Sequence, residues 1–515
     1  MMQLDLIASF LRSIFSGLTD AILAFVPEGW VMSLPAITLV IFAILALVVG
    51  FRYNPLGVSF AGVILATLEM VLLNPEALSV YPFLDPETLS GYSFGTLFVR
   101  NAFSDIFVYI VLIVAFLVLM SSSIWGGDKG TYNFLLLISF AGALWVIMAT
   151  DLVALFIAWE LMSTPTYVLV ALSPRREAVD GALKYFVIGL LATALMLLGI
   201  ALTLGVTGST DLQAISTFIT GLWDPVDSTW LDASSGYTLL LAMVLFIVSF
   251  GFKVGIFPGW QWVPDAYASA DGSVTAYLAG GSKKTGVSAL MRILMIAFFV
   301  AKTEWAPLIA GVAILTIVVG NVLALAQKDI MRMLAYSSIA MMGYLFIGIA
   351  AGNEIGMASA VFFAFAHSIM KTAAFILVWA MSITLAKRIT YDDLAGLGKK
   401  APVASAMLAI LMLSLAGLPV GVGFWSKLVV FQSAIVAGMW WLALVGLLNS
   451  VFSLGYYLRV LKYSYMLEPV NDGKLHLPRS SMVSAGICVA VVLLLLILPN
   501  IVLDYAFQAA LTFYP

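Results

Sequence analysis

Apolar runs of about twenty residues, parted by short polar connections, follow one another along almost the whole of this sequence. A helix of that length just crosses the hydrocarbon of a bilayer, where the backbone must satisfy its own polar groups in helices or a closed barrel. The runs are continuous rather than alternating, which argues against the barrel. Of 515 residues, 63% are hydrophobic and only 10% charged, against roughly a quarter charged in a soluble domain. The expected fold class is therefore an all-α polytopic membrane protein.

Spans are predicted near 31–51, 55–73, 103–122, 131–149, 151–171, 182–205, 238–257, 273–301, 306–326, 330–351, 356–386, 402–438, 439–461 and 482–507, about fourteen by hydropathy. The stretches 356–386 and 402–438 are long enough to hold a kink or a break. Leu4 to Val26, interrupted by Asp5, Arg12 and Asp20, is too long for a cleaved signal peptide and is expected to lie as an interfacial helix. Connections after odd-numbered spans carry most of the cations, among them Arg52, Lys129, Arg175, Arg176, Lys328 and Arg332. Those after even-numbered spans hold little beyond Arg100 and Lys302. The positive-inside rule then places the odd connections in the cytoplasm, with both termini and the polar insert 207–237 outside.

Two spans are predicted to be discontinuous. The seventh runs into Phe257-Pro258-Gly259, and the twelfth is interrupted by Gly417-Leu418-Pro419 and the glycines that follow. Proline and glycine open the helical hydrogen-bond ladder, which survives in a membrane only beside a cavity or a packed partner. The breaks lie about five spans apart, as two inverted five-helix repeats would place them. Four regions are expected: 1–130 with the interfacial helix and first three spans, repeats at 131–302 and 303–463, and 464–515 with the last span.

Charges inside apolar runs are costly, about 2.5–3.5 kcal/mol at the helix centre on insertion scales, and they usually face a polar interior. Glu160, Lys253 and Lys427 are such charges, and both lysines lie beside a predicted break. A carboxylate near an amine favours the charged form of each, so moving one partner changes the proton affinity of the other. Lys283 and Lys284 share the eighth span; adjacent residues point about 100° apart, so one is expected to face the central axis and the other a neighbouring helix or water. His367 and Lys371 fall one turn apart on one face, a spacing suited to a proton relay. Each also has a plainer reading as a structural ion pair, a snorkelling amine or a hydrogen-bonded packing residue. Glu69, Asp105, Asp151, Arg292 and Asp329 are weaker candidates; Asp151 and Asp329 stand at span ends, where helix capping explains them equally well.

The lone cysteine, Cys488, cannot hold an iron–sulfur cluster, and His367 and His476 are too far apart to suggest a haem site. With no dinucleotide fingerprint or phosphate loop, no cofactor and no metal are expected on this chain, and no nucleic-acid partner.

The pattern of residues resembles the antiporter-like subunits of respiratory complex I. Asp151 to Phe156, Glu160 to Ser163 and Tyr167 to Leu169 are similar to their fifth helix, and Ala182 to Phe186 to the start of their sixth, particularly in N-type subunits. Phe252-Lys253, Phe257-Pro258, Trp262, Pro264-Asp265 and Val274 to Ala276 resemble the broken seventh helix and its exit. Gln327, Asp329-Ile330, Arg332 and Leu334 to Ile339 resemble the tenth, and Gly417 to Pro419, Gly423-Phe424 and Lys427 the twelfth. The motifs keep their order across residues 100 to 460. Three features depart from N-type subunits: the His367 to Lys371 pattern is closer to M-, L- or Mrp-type chains, and Met341 and Trp260 stand where many relatives have histidine.

The resemblance implies a proton-translocating membrane-arm subunit with Glu160–Lys253, an eighth-helix lysine and Lys427 along a central axis, Lys283 matching N-type and Lys284 M-type chains. Electrons would pass to a quinone or methanophenazine in other subunits. Expected partners are those subunits, adjacent antiporter-like chains and the lipid bilayer, in the plasma membrane of a bacterium or archaeon. The mixture of features suggests the N-type subunit of a reduced-deazaflavin or quinone-linked dehydrogenase. The rival reading is a subunit of a standalone Mrp-type sodium/proton antiporter; a third is a membrane scaffold without transport.

Overall fold

The computed structural model describes residues 31–73, 97–123, 125–224, 229–469 and 473–514. The expected interfacial helix at Leu4 to Val26 lies outside them. Within them the chain is helical almost throughout, apart from a hairpin of two-residue strands at Trp223–Asp224 and Thr229–Trp230.

The first helices are α1 (Leu34–Gly50), α2 (Leu56–Leu72), α3 (Ala102–Ser122), α4 (Lys129–Met148), α5 (Leu152–Ala171) and α6 (Ala178–Thr207). In the insert, α7 (Leu212–Leu222) precedes α8 (Ala233–Val254) and the short α9 (Trp262–Ser269). The eighth run starts with α10 (Gly272–Tyr277), passes through a π-helical turn at Leu278–Ser282 into α11 (Lys283–Arg292), and has a second π turn at Ile293–Ala297. Then come α12 (Lys302–Leu325), α13 (Ile330–Ala351), α14 (Glu354–Leu385), α15 (Pro402–Ala416), α16 (Gly423–Val436), α17 (Trp440–Met466), α18 (Arg479–Ile497) and α19 (Asn500–Leu511).

Polar residues in the connections start several of these helices. Asn101 and Ser104 form a reciprocal capping box on α3. Asp151 accepts from Val153 and Ala154 at the start of α5, and Asp329 from Arg332 at the start of α13. Capping therefore accounts for both of these weaker candidates. Asp105 is ion-paired with Arg100 at 2.9 Å, and Glu69 accepts from Thr38 at 2.8 Å.

Among the described residues, ten helices are long and apolar enough to cross a membrane. α13 and α14 are wrapped by other helices and form the centre, whereas α6 and α17 lie at the periphery with most of their surface exposed. The run 356–386 is one unbroken helix of 32 residues, α14. The run 402–438 does break, between α15 and α16. The predicted span 482–507 is instead two helices, because Pro499 cannot continue α18 and seats itself at the start of α19. The seventh run ends at Gly255, whose φ of 75° terminates α8.

The cation-rich connections gather on one face. Asp265 of α9 accepts from Lys184 of α6 at 2.7 Å and Arg332 of α13 at 2.9 Å. Arg175 donates to the Ala268 carbonyl and Ser382, and Arg388 lies 3.5 Å from Glu177.

Candidate functional site

Each chain break lies beside a buried lysine. Where α8 stops, the Phe252 carbonyl accepts from the Trp262 indole at 2.7 Å, and that ring stacks on Tyr185 at 4.0 Å. Tyr185 and Ser163 in turn receive the Lys253 amine, at 2.6 and 3.1 Å. A small cavity lined by Trp159, Tyr167, Tyr185, Gly189 and Trp262 adjoins Lys253. At the second break, the Ala416 carbonyl accepts from Lys427 at 2.8 Å, and Ser450 does so at 2.8 Å. Lys427 also lies over the Tyr344 ring, 4.8 Å from its centroid.

Glu160 and Lys253 are not closed into an ion pair. Glu160 is half-buried on α5 and accepts from Thr193 of α6 at 2.7 Å and from Thr164, one turn on along α5, at 3.4 Å. The expectation of a paired Glu160–Lys253 is corrected accordingly: hydroxyl groups hold each of them separately. Charge still couples them through space, since buried pairs are weakly screened.

Lys283 and Lys284 diverge as adjacent helical residues must, but neither reaches water. Lys283 points to Ser338 of α13 at 3.4 Å and over the Tyr267 ring at 5.2 Å. Gly255 is close by: a methyl group there would meet the Lys283 amine at 3.3 Å. Lys284 donates to the Ala279 carbonyl, 2.6 Å away within the π turn, and contacts His367 Nδ1 at 2.6 Å. A charged Lys284 requires Nδ1 as acceptor, which puts a neutral imidazole's proton on Nε2. Lys371 donates to the Leu334 carbonyl at 3.0 Å and to Ser337, whose hydroxyl meets Tyr457 at 2.7 Å.

Lys253, Lys283, Lys284, Lys371 and Lys427 are each at most 5% exposed. Among the described residues, no carboxylate is ion-paired with any of them. An amine held only by neutral oxygens and rings has a proton affinity governed by whatever charge approaches it. Five such titratable amines lie inside one bundle, with Tyr185 against Lys253 and His367 against Lys284. The sequence reasoning missed Ser450 and Tyr457, whose only signal was a hydroxyl in an apolar run, too common to stand out, and it met Ser163 and Ser337 only inside motifs. Tyr185 was noticed only within a motif.

Residues 149–453 match the family described as NADH:quinone oxidoreductase/Mrp antiporter, TM. The chain belongs to this family. It is 34% identical over 473 residues to F(420)H(2) dehydrogenase subunit N of Methanosarcina mazei, an alignment covering 89% of this chain and 91% of the relative. Respiratory complex I from Thermus thermophilus contains a chain with a TM-score of 0.74 and 27% identity, covering 91% of this chain and 98% of that one. The Mrp complex of Dietzia sp. DQ12-45-1b contains a chain with the same fold, at a TM-score of 0.79 and 20% identity, with coverage of 95% and 97%. The antiporter-like motifs noted in the sequence thus lie within a family match that spans both chain breaks and all five buried lysines.

Proposed function

We propose that this chain is a proton-translocating membrane-arm subunit of a redox-driven, complex I-like oxidoreductase. Electron transfer to a quinone or methanophenazine takes place in other subunits, and this chain carries no redox centre. The observation that supports the reading best is the set of five buried lysines held by hydroxyls, main-chain carbonyls and His367, with no ion-paired carboxylate among the described residues. Lys253, Lys283, Lys284, His367, Lys371 and Lys427 form the translocation axis in this proposal, and Glu160 is the charge that biases its Lys253 end.

The proposal includes fourteen spans. The two helices of 17 residues, α1 and α2, the π-interrupted eighth run and the broken α15–α16 pair join the ten long helices. Residues 131–302 and 303–463 are proposed as inverted repeats, which the matching positions of the two breaks support. The cation-rich face is assigned to the cytoplasm and both termini to the outside of a bacterial or archaeal plasma membrane, with adjacent antiporter-like subunits as neighbours.

Vesicles holding the intact complex test this. Lys253→Met or Glu160→Gln should leave the complex assembled but abolish proton movement coupled to electron transfer. Full pumping stoichiometry in both variants refutes the proposal. The Mrp-type reading shares the fold; it predicts that the purified complex contains small membrane proteins only, without iron–sulfur subunits.

A further inference from the structure

α13 begins at Ile330, beside Arg332 on the cation-rich face, and its 22 residues carry the chain about 33 Å to Ala351. That rise spans the hydrocarbon of a bilayer, so the turn at Gly352 and Asn353 stands at the opposite membrane surface. A cleft of about 360 Å³ opens there, walled by Phe299, Lys302, Glu354, Ile355, Val436 and Tyr514. Volumes from about 300 Å³ upward are those of small-ligand sites. Just beyond Val436, the exposed Trp440 and Trp441 mark the same level, as an aromatic belt does.

Lys302 is half-buried with its stem against Gly352, whose φ of 56° suits glycine. A methyl group on Gly352 would lie 2.5 Å from Lys302 Cε, so the bare turn is what seats the lysine in the cleft. Glu354, exposed in the first turn of α14, lines the same cleft. Among the described residues neither charge is ion-paired, with the other or with a third group. A lysine and a glutamate that share a cleft without meeting leave room for a ligand bearing both signs of charge. The remaining walls are apolar: Phe299 and Val436 are exposed, and Tyr514 packs edge-on against Phe299, 5.7 Å between centroids. The Tyr514 hydroxyl is buried with no protein partner, a group that an occupant, or a water trapped beneath one, would satisfy.

We propose that this cleft binds one phospholipid with an amine-bearing headgroup, of the phosphoethanolamine kind. The phosphate lies against Lys302, the ammonium against Glu354, and an acyl chain descends over Phe299 and Val436 into the bilayer. A phosphate without an amine satisfies only half of the charged pair. A soluble zwitterion leaves the apolar rim bare, whereas a lipid covers it. The assignment stands apart from the proton-translocation reading, since none of these side chains belongs to the proposed axis.

The intact complex, held in nanodiscs that contain phosphatidylethanolamine with a photoreactive acyl chain, tests this. Illumination followed by peptide mass spectrometry should place the label on the peptides carrying Phe299 and Val436. Lys302→Met keeps the apolar stem and removes the charge, and labelling there should fall at least tenfold. In Glu354→Gln it should fall at least fivefold. The same acyl probe on a phosphatidylglycerol headgroup, which has no amine, should label wild type at least fivefold less and be indifferent to Glu354→Gln. Glu354 is exposed, so Glu354→Gln carries the test should Lys302→Met fail to assemble. Wild-type labelling in either assembled variant overturns the proposal, as does equal labelling by the two headgroups. Absence of label on the wild-type complex overturns it too and assigns the cleft to a neighbouring protein chain. Displacement of the probe by free phosphoethanolamine at equal concentration overturns the lipid in favour of a soluble zwitterion.

Discussion

Lys284 and His367, from helices 83 residues apart in sequence, meet at 2.6 Å with the imidazole's Nδ1 turned to the amine. The adjacent Lys283 points the other way, to Ser338. One peptide step thus sends two buried amines to two different helices, and the contact between Lys284 and His367 is the one suited to proton exchange, since either partner can hold the shared proton.

His367→Gln keeps an acceptor for Lys284 and removes the titratable ring. The expected result is assembled complex whose pumping falls by at least about a hundredfold, the usual scale of a lost acid–base group. Parallel measurement of electron transfer and vesicle acidification checks it.

Tyr185→Phe retains the stack on Trp262 and deletes the hydroxyl that receives Lys253. Loss of a hydrogen bond to a charged group costs about 1.5–3 kcal/mol. A small fall in melting temperature is expected, together with a larger fall in pumping. Unchanged pumping would show that Ser163 alone suffices to hold the amine.

Gly417 has φ of 89°, and a Cβ there would lie 2.7 Å from Lys427 Cδ. Gly417→Ala therefore combines backbone strain, on the order of 1–3 kcal/mol, with displacement of the lysine. Thermal unfolding of the purified complex should report the first and proton pumping the second.

Asp105→Asn leaves Arg100 buried without its countercharge. Breaking a buried pair from one side costs about 3–5 kcal/mol, so poor assembly is expected, readable as a loss of intact complex on native gels. Arg100→Met with Asp105→Leu should recover much of it.

In the connection after α14, burial raises the Asp393 pKa, but bonds from Lys387 and Thr390 outweigh it and leave the carboxyl below its ordinary value of 3.8. A depressed folded-state pKa gives stability that is present above the unfolded value and lost as pH falls through the folded one. Hydrogen exchange across 387–393 should therefore quicken below about pH 4, and Asp393→Asn should exchange quickly at every pH.

The lysines were legible because a charge in an apolar run is rare, and the breaks because proline and glycine announce them. The partners were not. Serine and tyrosine occur throughout such helices, so Ser337 and Tyr457 acquire meaning only when three helices bring them to Lys371. Spacing also could not show that Glu160 is held by Thr193 of α6 without closing an ion pair on Lys253, because lateral placement depends on helix rotation in the bundle. Pro499 was in plain sight within an apolar run; its hydropathy hid the turn that its ring imposes.

A peptide oxygen has no side chain to lose. Because Ala416 holds Lys427 through its main chain, sequence drift at position 416 leaves that cradle intact, and only a change in the path of the chain can remove it. Heredity can therefore rewrite much of the surrounding wall while the seat of the lysine stays where it is.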